Sequence, residues 1–599
     1  MKVSLFGTPV KPSLLVSRKV QGVSALNQGE QSELQPFESK VSNVQAFNKT
    51  PTLNFPMIER FTENQLNKEF DLGILGGGTN ACGMARDASE RGLKVFLLEK
   101  VDFAYGASFA NSRLRHGGLR YTEHFEFGLV RESLTERELS LKNENHLVKP
   151  LEFCLPIYRG DKRGYLLIKI GMIGYDLLSY DKSLPCHRML SRADVIDYEP
   201  SLNQDRLVGA AIFYDAQVAF TERVCVENAL MAKQHGAVIL NHAEVVGINL
   251  EGNKISSIEF VDHLSNKRHK INAKMFVNAS GAWIDKLCGL TGKNLKRIIG
   301  ATKGSHIVVR QFDGGPKRAL IIAAKSDGRP FFIIPWQDYY LIGTTDIPYE
   351  GDLDNVKITE DEINYLLKES NRVLKNKQLS KKDILYSYSG VRPLPYVSQA
   401  DPGKVSRKAI FRDHTDDGIE NLLSASGKLT TYRHLSEQVV DFVFDKLGYK
   451  FIPTTTKTVP LMGAVDGDIG AFKKREIKKC SKKYPLEPEV VSHLIDLYGK
   501  NYKEVIELTL KNNQLGYLLS SHGLDIRAQV GHALKKESAY TISDVLLRRL
   551  SLGLTEGLGE DAIDYVASEL KSFYGYTDVQ IQAQKDDYYN NIIKLRKVT

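Results

Sequence analysis

"FDLGILGGGTNACGMARDASERGLKVFLLEK" (residues 70–100) is the stretch from which the fold is read. Leu72 to Leu75 form a short apolar run of the kind buried in a parallel sheet. A glycine turn follows, then small residues at helical spacing through Arg91, then a second apolar run from Lys94 to Leu98 that ends in Glu99. Strand, turn, helix and strand in this order are the βαβ unit that opens a doubly wound sheet. Gly76 permits the sharp turn, Gly78 lets the backbone approach a pyrophosphate, and Ala81 is small enough for close helix–strand packing. Such a pyrophosphate is held by free N–H groups and the dipole at the helix N-terminus, which places Gly77, Thr79 and Asn80 at the cofactor. Glu99 lies 21 residues after Gly78, the separation at which a carboxylate meets a ribose hydroxyl, with Lys100 next to it. A glycine motif alone is weak, but all these parts in register imply a bound dinucleotide.

The rest of the chain distinguishes FAD from a nicotinamide cofactor. Apolar strands recur far downstream, in "KMFVNASGAWID" (274–285) and "ENLLSASGKLTTYR" (420–433), each ending in Ser-Gly. Discontinuous returns to one sheet are typical of FAD-binding oxidoreductases, whose substrate strands are inserted between pieces of the nucleotide domain. The helix after Gly427 is then expected to point its N-terminus at the flavin pyrimidine and favour the reduced ring's negative charge.

Composition bounds the remaining choices. A chain of 599 residues is too long for one core, and 42% hydrophobic with 26% charged residues is ordinary for a globular protein. The net charge of +9 suits a small anion or an acidic membrane surface and is too weak to argue for nucleic acid. The six cysteines (Cys82, Cys154, Cys186, Cys225, Cys288 and Cys480) show no CxxC or Cys/His pairing, so neither zinc nor a disulfide framework is expected. "DHTDDGIE" (413–420) lacks the glutamate that closes a calcium loop, its twelfth position being Ser424, and no metal site is expected.

Residues 1–68 read as a targeting or unstructured segment outside the fold. No acidic residue precedes Glu30, and basic residues and serines recur, as in a mitochondrial presequence. "GYLLIKIGMIGYDLLSY" (164–180) is broken by Lys169, three glycines and Asp176, which excludes a membrane span and leaves a buried helix, the preferred reading, or an interfacial one.

"LRHGGLRY" (114–121) sets a glycine pair among basic side chains, which marks either a surface turn or a place where a flat or anionic ligand meets the backbone. With "HGGLRYTEHFEFGLVRESLTERE" (116–138), "KGSHIVV" (303–309), "FFIIPW" (331–336), "IGTTD" (342–346), "YSGVRPL" (388–394) and "GKLTTYR" (427–433), the chain from about 70 to 580 resembles the FAD-dependent glycerol-3-phosphate dehydrogenases of the mitochondrial and bacterial respiratory type. It departs from that family at Ala81, often glycine, at Phe109, Arg113 and Arg115, and at "AFTER" (219–223), where an acidic pair is common.

The resemblance implies an α/β fold: an FAD-binding Rossmann-like domain of the glutathione-reductase/D-amino-acid-oxidase type with an interleaved mixed-sheet substrate domain (69–450), followed by a C-terminal helical domain (465–599). It implies FAD as cofactor, with Ser108, Ser112, Leu114, His116, Gly117, Gly118, Gly281, Gly427, Lys428, Leu429 and Thr430 added to the cofactor-binding set. The implied reaction oxidises glycerol 3-phosphate to dihydroxyacetone phosphate by hydride transfer to flavin N5, with electrons passing to a ubiquinone-type acceptor. A glycerol-phosphate oxidase using oxygen, or an enzyme for another small anion, is the alternative.

A phosphate near −2 calls for guanidinium groups, and Arg392 and Arg412 are assigned to it. Arg120 and Lys428 fall nearer the hydroxyl and the flavin, His306 or His116 is the base, and Tyr121 and Thr430 are further substrate contacts. Each has a plainer reading: Arg412 pairs with Asp413 or Asp416, His306 is a satisfied core histidine, and Arg392 is a surface arginine before Pro393. Helical spacing in "EVVSHLIDLYGKNYKEVIEL" and "ISDVLLRRLSLGL" after the linker 449–464 marks the C-terminal domain. The basic run "KKREIKKCSKK" (473–483) is a solvated face or an aid to membrane contact. The family further implies peripheral attachment to the mitochondrial inner membrane, no nucleic-acid partner, and a homodimer as one form of assembly.

Overall fold

The computed structural model describes residues 60–398 and 406–598. The 1–59 portion of the expected targeting segment lies outside the described residues. Residues 60–68 belong to the folded body, which corrects the boundary at 69. Arg60 pairs with buried Asp262, Phe61 meets Phe260 and His269 edge-on, and Leu66 is buried.

The opening βαβ unit forms as read: β1 (Phe70–Leu75), α1 (Thr79–Glu90) and β2 (Val95–Leu98). Every residue of both strands is buried, as a parallel sheet covered on both faces requires. β3 (Ala273–Asn278) runs parallel to β1 on its other side, and the strand Leu422–Ser426 runs parallel to β3. The six-stranded sheet thus collects strands from 70–98, 238–240, 273–278 and 410–426. Small residues on α1 are what let it pack closely. A Cβ on Gly83 would stand 2.7 Å from Ser436 Oγ and 2.8 Å from the Tyr432 ring of the late helix that crosses it.

The inserted segments build a ten-stranded mixed sheet, two of whose strands pair to the sides of its main run. Its longest antiparallel pair is β4 (Ile299–Arg310) with β5 (Ile384–Pro395), with His306 opposite Tyr388 and Thr302 opposite Arg392. Two helices flank it: α2 (Phe127–Asn143) and α3 (Tyr165–Leu178). The chain returns to the nucleotide sheet and ends that portion in α4 (Tyr432–Lys446), capped at Thr431. The helix therefore begins after a turn, 427–431, and not at Gly427 itself.

The 449–464 stretch is bonded to α1. Thr454 Oγ1 donates to Asp87, and Arg86 donates to Val459 O at 2.8 Å. The helices that follow share one core with the substrate sheet, Tyr386 and Trp336 clustering with Leu546 and Leu554. Buried ion pairs Asp102–Arg549 and Arg223–Glu537 cross the same boundary.

α3 is exposed, which corrects the buried-helix reading. Only Met172 and Tyr175 are fully buried, with Ile168 and Leu178 packed partly against the core, whereas Leu166 is 69% and Leu177 70% accessible, with Ile170 and Ile173 exposed between them.

Candidate functional site

Two cavities meet along the nucleotide sheet's loop edge. The first, about 370 Å³, is lined by Gly76–Asn80, Glu99, Lys100, Ser108, Gly281, Trp283 and Gly427. Gly76 has a φ of 118°, open to glycine, and a Cβ there would approach Ala279 O to 2.8 Å. Glu99 accepts from Gly77 N–H (2.6 Å) and Val101 N–H (2.9 Å), which fixes its carboxylate, while burial raises its pKa. A Cβ on Gly77 would sit 2.7 Å from the Glu99 side chain, so the glycine keeps this cradle open. Asn80 donates to Gly427 O at 3.0 Å, tying α1 to the late loop. Its Oδ1, and the Trp283 Nε1 across the cavity, are buried and have no protein partner. Unmet polar atoms, a glycine cradle and a carboxylate at the strand end fit a dinucleotide of FAD's chemistry.

The second cavity, about 330 Å³, shares Ala107, Pro393, Ser426, Gly427 and Leu429 with the first, so one extended ligand can reach both. Its far wall is basic. Arg392 Nη1 pairs with Asp346 Oδ1 at 3.1 Å, and Arg407 Nη2 with Asp346 Oδ2 at 2.9 Å. Arg329 donates to the Asp346 carbonyl. All three arginines line the cavity. The arginines hold the Asp346 pKa down against the burial that raises it. Arg392 also donates to Thr344 Oγ1 (2.8 Å), and its guanidinium lies over Gly304, where a Cβ would clash at 2.2 Å. Gly304 and His306 project from the same face of β4, so the missing side chain sets Arg392 beside the imidazole.

His306 Nε2 hydrogen-bonds Ser112 Oγ at 2.9 Å, and the ring stacks on Tyr388 at 5.0 Å. Its Nδ1 is buried without a partner. Burial first, then the Arg392 and Arg113 charges, push its pKa down to about 3, so the imidazole is neutral and able to take a proton. His116 lines the cavity too, its pKa lowered by burial, and its carbonyl lies 3.5 Å from Thr430 Oγ1. Lys428 Nζ donates to Ser133 Oγ (3.0 Å) and sits 4.7 Å over the Tyr121 ring. Burial lowers Lys428 to about 8. An anion that depends on charged Lys428 is therefore expected to bind with a KM that rises above pH 8. Steady-state KM between pH 6.5 and 9.5 checks this, with K428R removing the inflection.

The structure thus brings together His116, Tyr121, His306, Arg392, Lys428 and Thr430, with Ser112, Leu114, Gly118 and Leu429. Two expectations change, those for Arg412 and Gly117. Arg412 lines neither cavity, because both of its terminal bonds go to Asp417 (2.7 and 3.2 Å) at a half-exposed strand edge. Gly117 lies behind the wall, where a Cβ would strike Tyr175 Oη and Leu134. Lys100 pairs with Asp354 and covers Trp283 at 4.4 Å, at the outer rim of the first cavity. Arg120 lies in the short helical turn Leu119–His124, and its side chain is outside the described set.

Arg329, Arg407, Lys408 and Asp346 were not singled out from the sequence. Asp346 closes the quoted "IGTTD", and Arg329 directly precedes the "PFFIIPW" strand, so proximity to those motifs was the available signal. Arg407 and Lys408 had none.

Comparison with known proteins agrees with this geometry. Residues 71–431 match the family described as FAD dependent oxidoreductase, and 454–581 match the C-terminal domain of alpha-glycerophosphate oxidase. The chain is 42% identical to a glycerol-3-phosphate dehydrogenase of Synechocystis sp. over 90% of its own length and 97% of the relative's. It is 31% identical to an aerobic glycerol-3-phosphate dehydrogenase of Staphylococcus aureus, covering 88% of this chain and 95% of the other. The crystal structure of the glycerol-3-phosphate dehydrogenase from Bacillus halodurans complexed with FAD superposes with a TM-score of 0.72 at 25% identity, covering 89% of this chain and 96% of that one.

Proposed function

The chain belongs to the family of FAD-dependent glycerol-3-phosphate dehydrogenases and oxidases, and from that premise we propose that it oxidises sn-glycerol 3-phosphate to dihydroxyacetone phosphate and delivers the electrons to a membrane quinone. The observation that carries this reading is the arginine cluster around Asp346 in the same cavity as the neutral His306. The Gly76–Asn80 cradle and Glu99 would hold FAD, which would supply the hydride acceptor for C2. Arg392, Arg407 and Arg329 bind the phosphate, whose two charges offset the Arg392 charge that adds to burial in lowering the His306 pKa. His306 then accepts the C2 hydroxyl proton, and the apolar floor of Phe153, Phe213 and Phe332 excludes water.

Anaerobic addition of glycerol 3-phosphate to the purified holoenzyme should bleach the flavin absorbance, with recovery on adding a quinone and only slow recovery in air. A flavin that stays oxidised removes this substrate. Fast recovery in air with release of hydrogen peroxide makes the protein an oxidase.

A quinone acceptor requires a membrane surface, and α3 supports one. Leu166, Ile170, Ile173 and Leu177 form one exposed stripe, and Phe125 and Phe127 add exposed rings 6.0 Å apart at the start of α2. The turn that carries Tyr121 in the cavity ends at Phe125, so the apolar face adjoins the site. Among the described residues no helix is long and apolar enough to cross a membrane. Wild-type protein is expected to sediment with liposomes containing anionic lipid, and I170E/I173E to lose about tenfold or more of that binding, since each isoleucine contributes roughly 1.5–3 kcal/mol when buried. Equal sedimentation of the two rejects α3 as the docking element. Mitochondrial placement rests on the composition of the first 29 residues and is tested by fusing residues 1–68 to a fluorescent protein. Cytosolic fluorescence rejects it.

A further inference from the structure

The last helical turn, Lys594–Arg596, reaches from the C-terminal helices to the back of the second cavity's wall. Arg596 is buried there, its guanidinium 4.5 Å from the centre of the Phe109 ring and donating to Gly553 O at 3.2 Å. Ser387 Oγ donates to the Arg596 carbonyl at 3.3 Å, which ties the turn to β5. Among the described residues no carboxylate forms an ion pair with Arg596, and burial pushes its pKa down to about 10, so it remains charged at neutral pH. A buried cation without a counter-charge is costly, and here aromatic faces and tyrosine oxygens provide the compensation.

Phe109 is the first member of a continuous ring stack. It meets Tyr388 edge-on at 5.9 Å, and Tyr388 lies on His306 at 5.0 Å with the planes 23° apart. Tyr388 Oη donates to Asn111 O at 2.9 Å, and Ser112 holds His306 Nε2. Phe109, Asn111 and Ser112 lie on the loop whose Ala107 lines both cavities. The same loop is closed from β5, where a Cβ on Gly390 would strike Ala110 O at 2.5 Å. On the other side Arg113 faces Phe109 at 5.8 Å, but its charge is matched by Glu222 at 2.8 and 3.1 Å. Arg596, by contrast, has no carboxylate partner among the described residues.

We infer that Arg596 is a positioning residue: it seats Phe109 and Tyr388 against His306, so that the C-terminal turn keeps the imidazole and the 107–112 loop in register. The inference rests on the reading of His306 as proton acceptor.

The test uses the holoenzyme with R596M, R596K, F109L and R596M/F109L, and R310A of the exposed Arg310–Glu556 pair as a control. R596M is expected to slow anaerobic flavin reduction at saturating glycerol 3-phosphate about tenfold while KM moves less than about threefold. R596K recovers most of the rate, and R310A is unchanged. F109L slows the reaction similarly, and the double variant is no slower than the worse single one, because both break one stack. Wild-type reduction by R596M, or losses that multiply in the double variant, overturn the proposal. Should R596M fail to fold, R596K and F109L decide it: both at wild-type rate overturn it. FAD affinity is the readout independent of substrate, expected to fall about fivefold in R596M and less than about twofold in R596K. If glycerol 3-phosphate leaves the wild-type flavin oxidised, the functional reading fails by itself, and unchanged FAD affinity in R596M then overturns the positioning role.

Discussion

Replacing Arg392 with methionine is expected to lower kcat/KM for glycerol 3-phosphate by about 10²–10⁴, with FAD content unchanged. Methionine keeps the apolar stem and removes the fork that bonds Asp346 and Thr344. Two losses add. The phosphate loses a charge-assisted contact, and Asp346 loses one of its two ion pairs and faces the incoming dianion less well neutralised. Each is worth about 1.5–3 kcal/mol, and 1.4 kcal/mol is a factor of ten. Lysine restores the charge but not the planar two-point contact, so R392K is expected to recover about a tenth of the activity or less. Parallel reduction titrations of the wild type and both variants check this. A loss below about fivefold in R392M would move the phosphate to another part of the cavity.

The second large effect falls on His306. Glutamine preserves the hydrogen bond to Ser112 but cannot accept the hydroxyl proton, so H306Q is expected to slow flavin reduction by about 10²–10⁴ with little change in KM. H116Q is expected to slow it by less than about tenfold, which separates the two histidines. The pH dependence follows from the environment of each group. With His306 at about 3 in the free enzyme, its protonation contributes no acid limb to kcat/KM above pH 4. The acid limb instead falls near pH 6, where the substrate phosphate dianion takes up a proton and becomes a monoanion, and the alkaline limb near 8 belongs to Lys428. An acid limb that persists at the same position in H306Q supports this assignment. A limb that vanishes there would show that His306 titrates near neutrality, and would overturn it.

The comparison of the two histidines shows how far the linear chain could be read. "KGSHIVV" placed His306 on an alternating strand, where a ligand and a satisfied core histidine look alike. What separates them is the unpartnered Nδ1, the Arg392 guanidinium over Gly304 and the Tyr388 ring beneath, the last two contributed by β5 from far along the chain. Arg412 and Arg407 make the converse case. Arg407 precedes the late strand Ile410–Asp413 and Arg412 lies within it, yet one turns to Asp346 and the other to Asp417, and only the partner carboxylates decide which. Arg596 was invisible for the same reason, its neighbours Phe109 and Gly553 being remote in sequence.

Local order in the chain determined the βαβ unit, the glycine cradle with Glu99, the return of later strands to the same sheet and, through the assembled motifs, the flavoprotein family. Those features depend on contacts within some thirty residues or on whole motifs, where spacing and residue size dictate geometry. The arginine cluster around Asp346, the displacement of Arg412, the exposure of α3 and the C-terminal cation behind His306 were decided by tertiary structure alone. Each depends on which partner a charge or an apolar face meets across long loops, and hydropathy counts how apolar a helix such as 165–178 is without registering which of its faces the rest of the chain will cover.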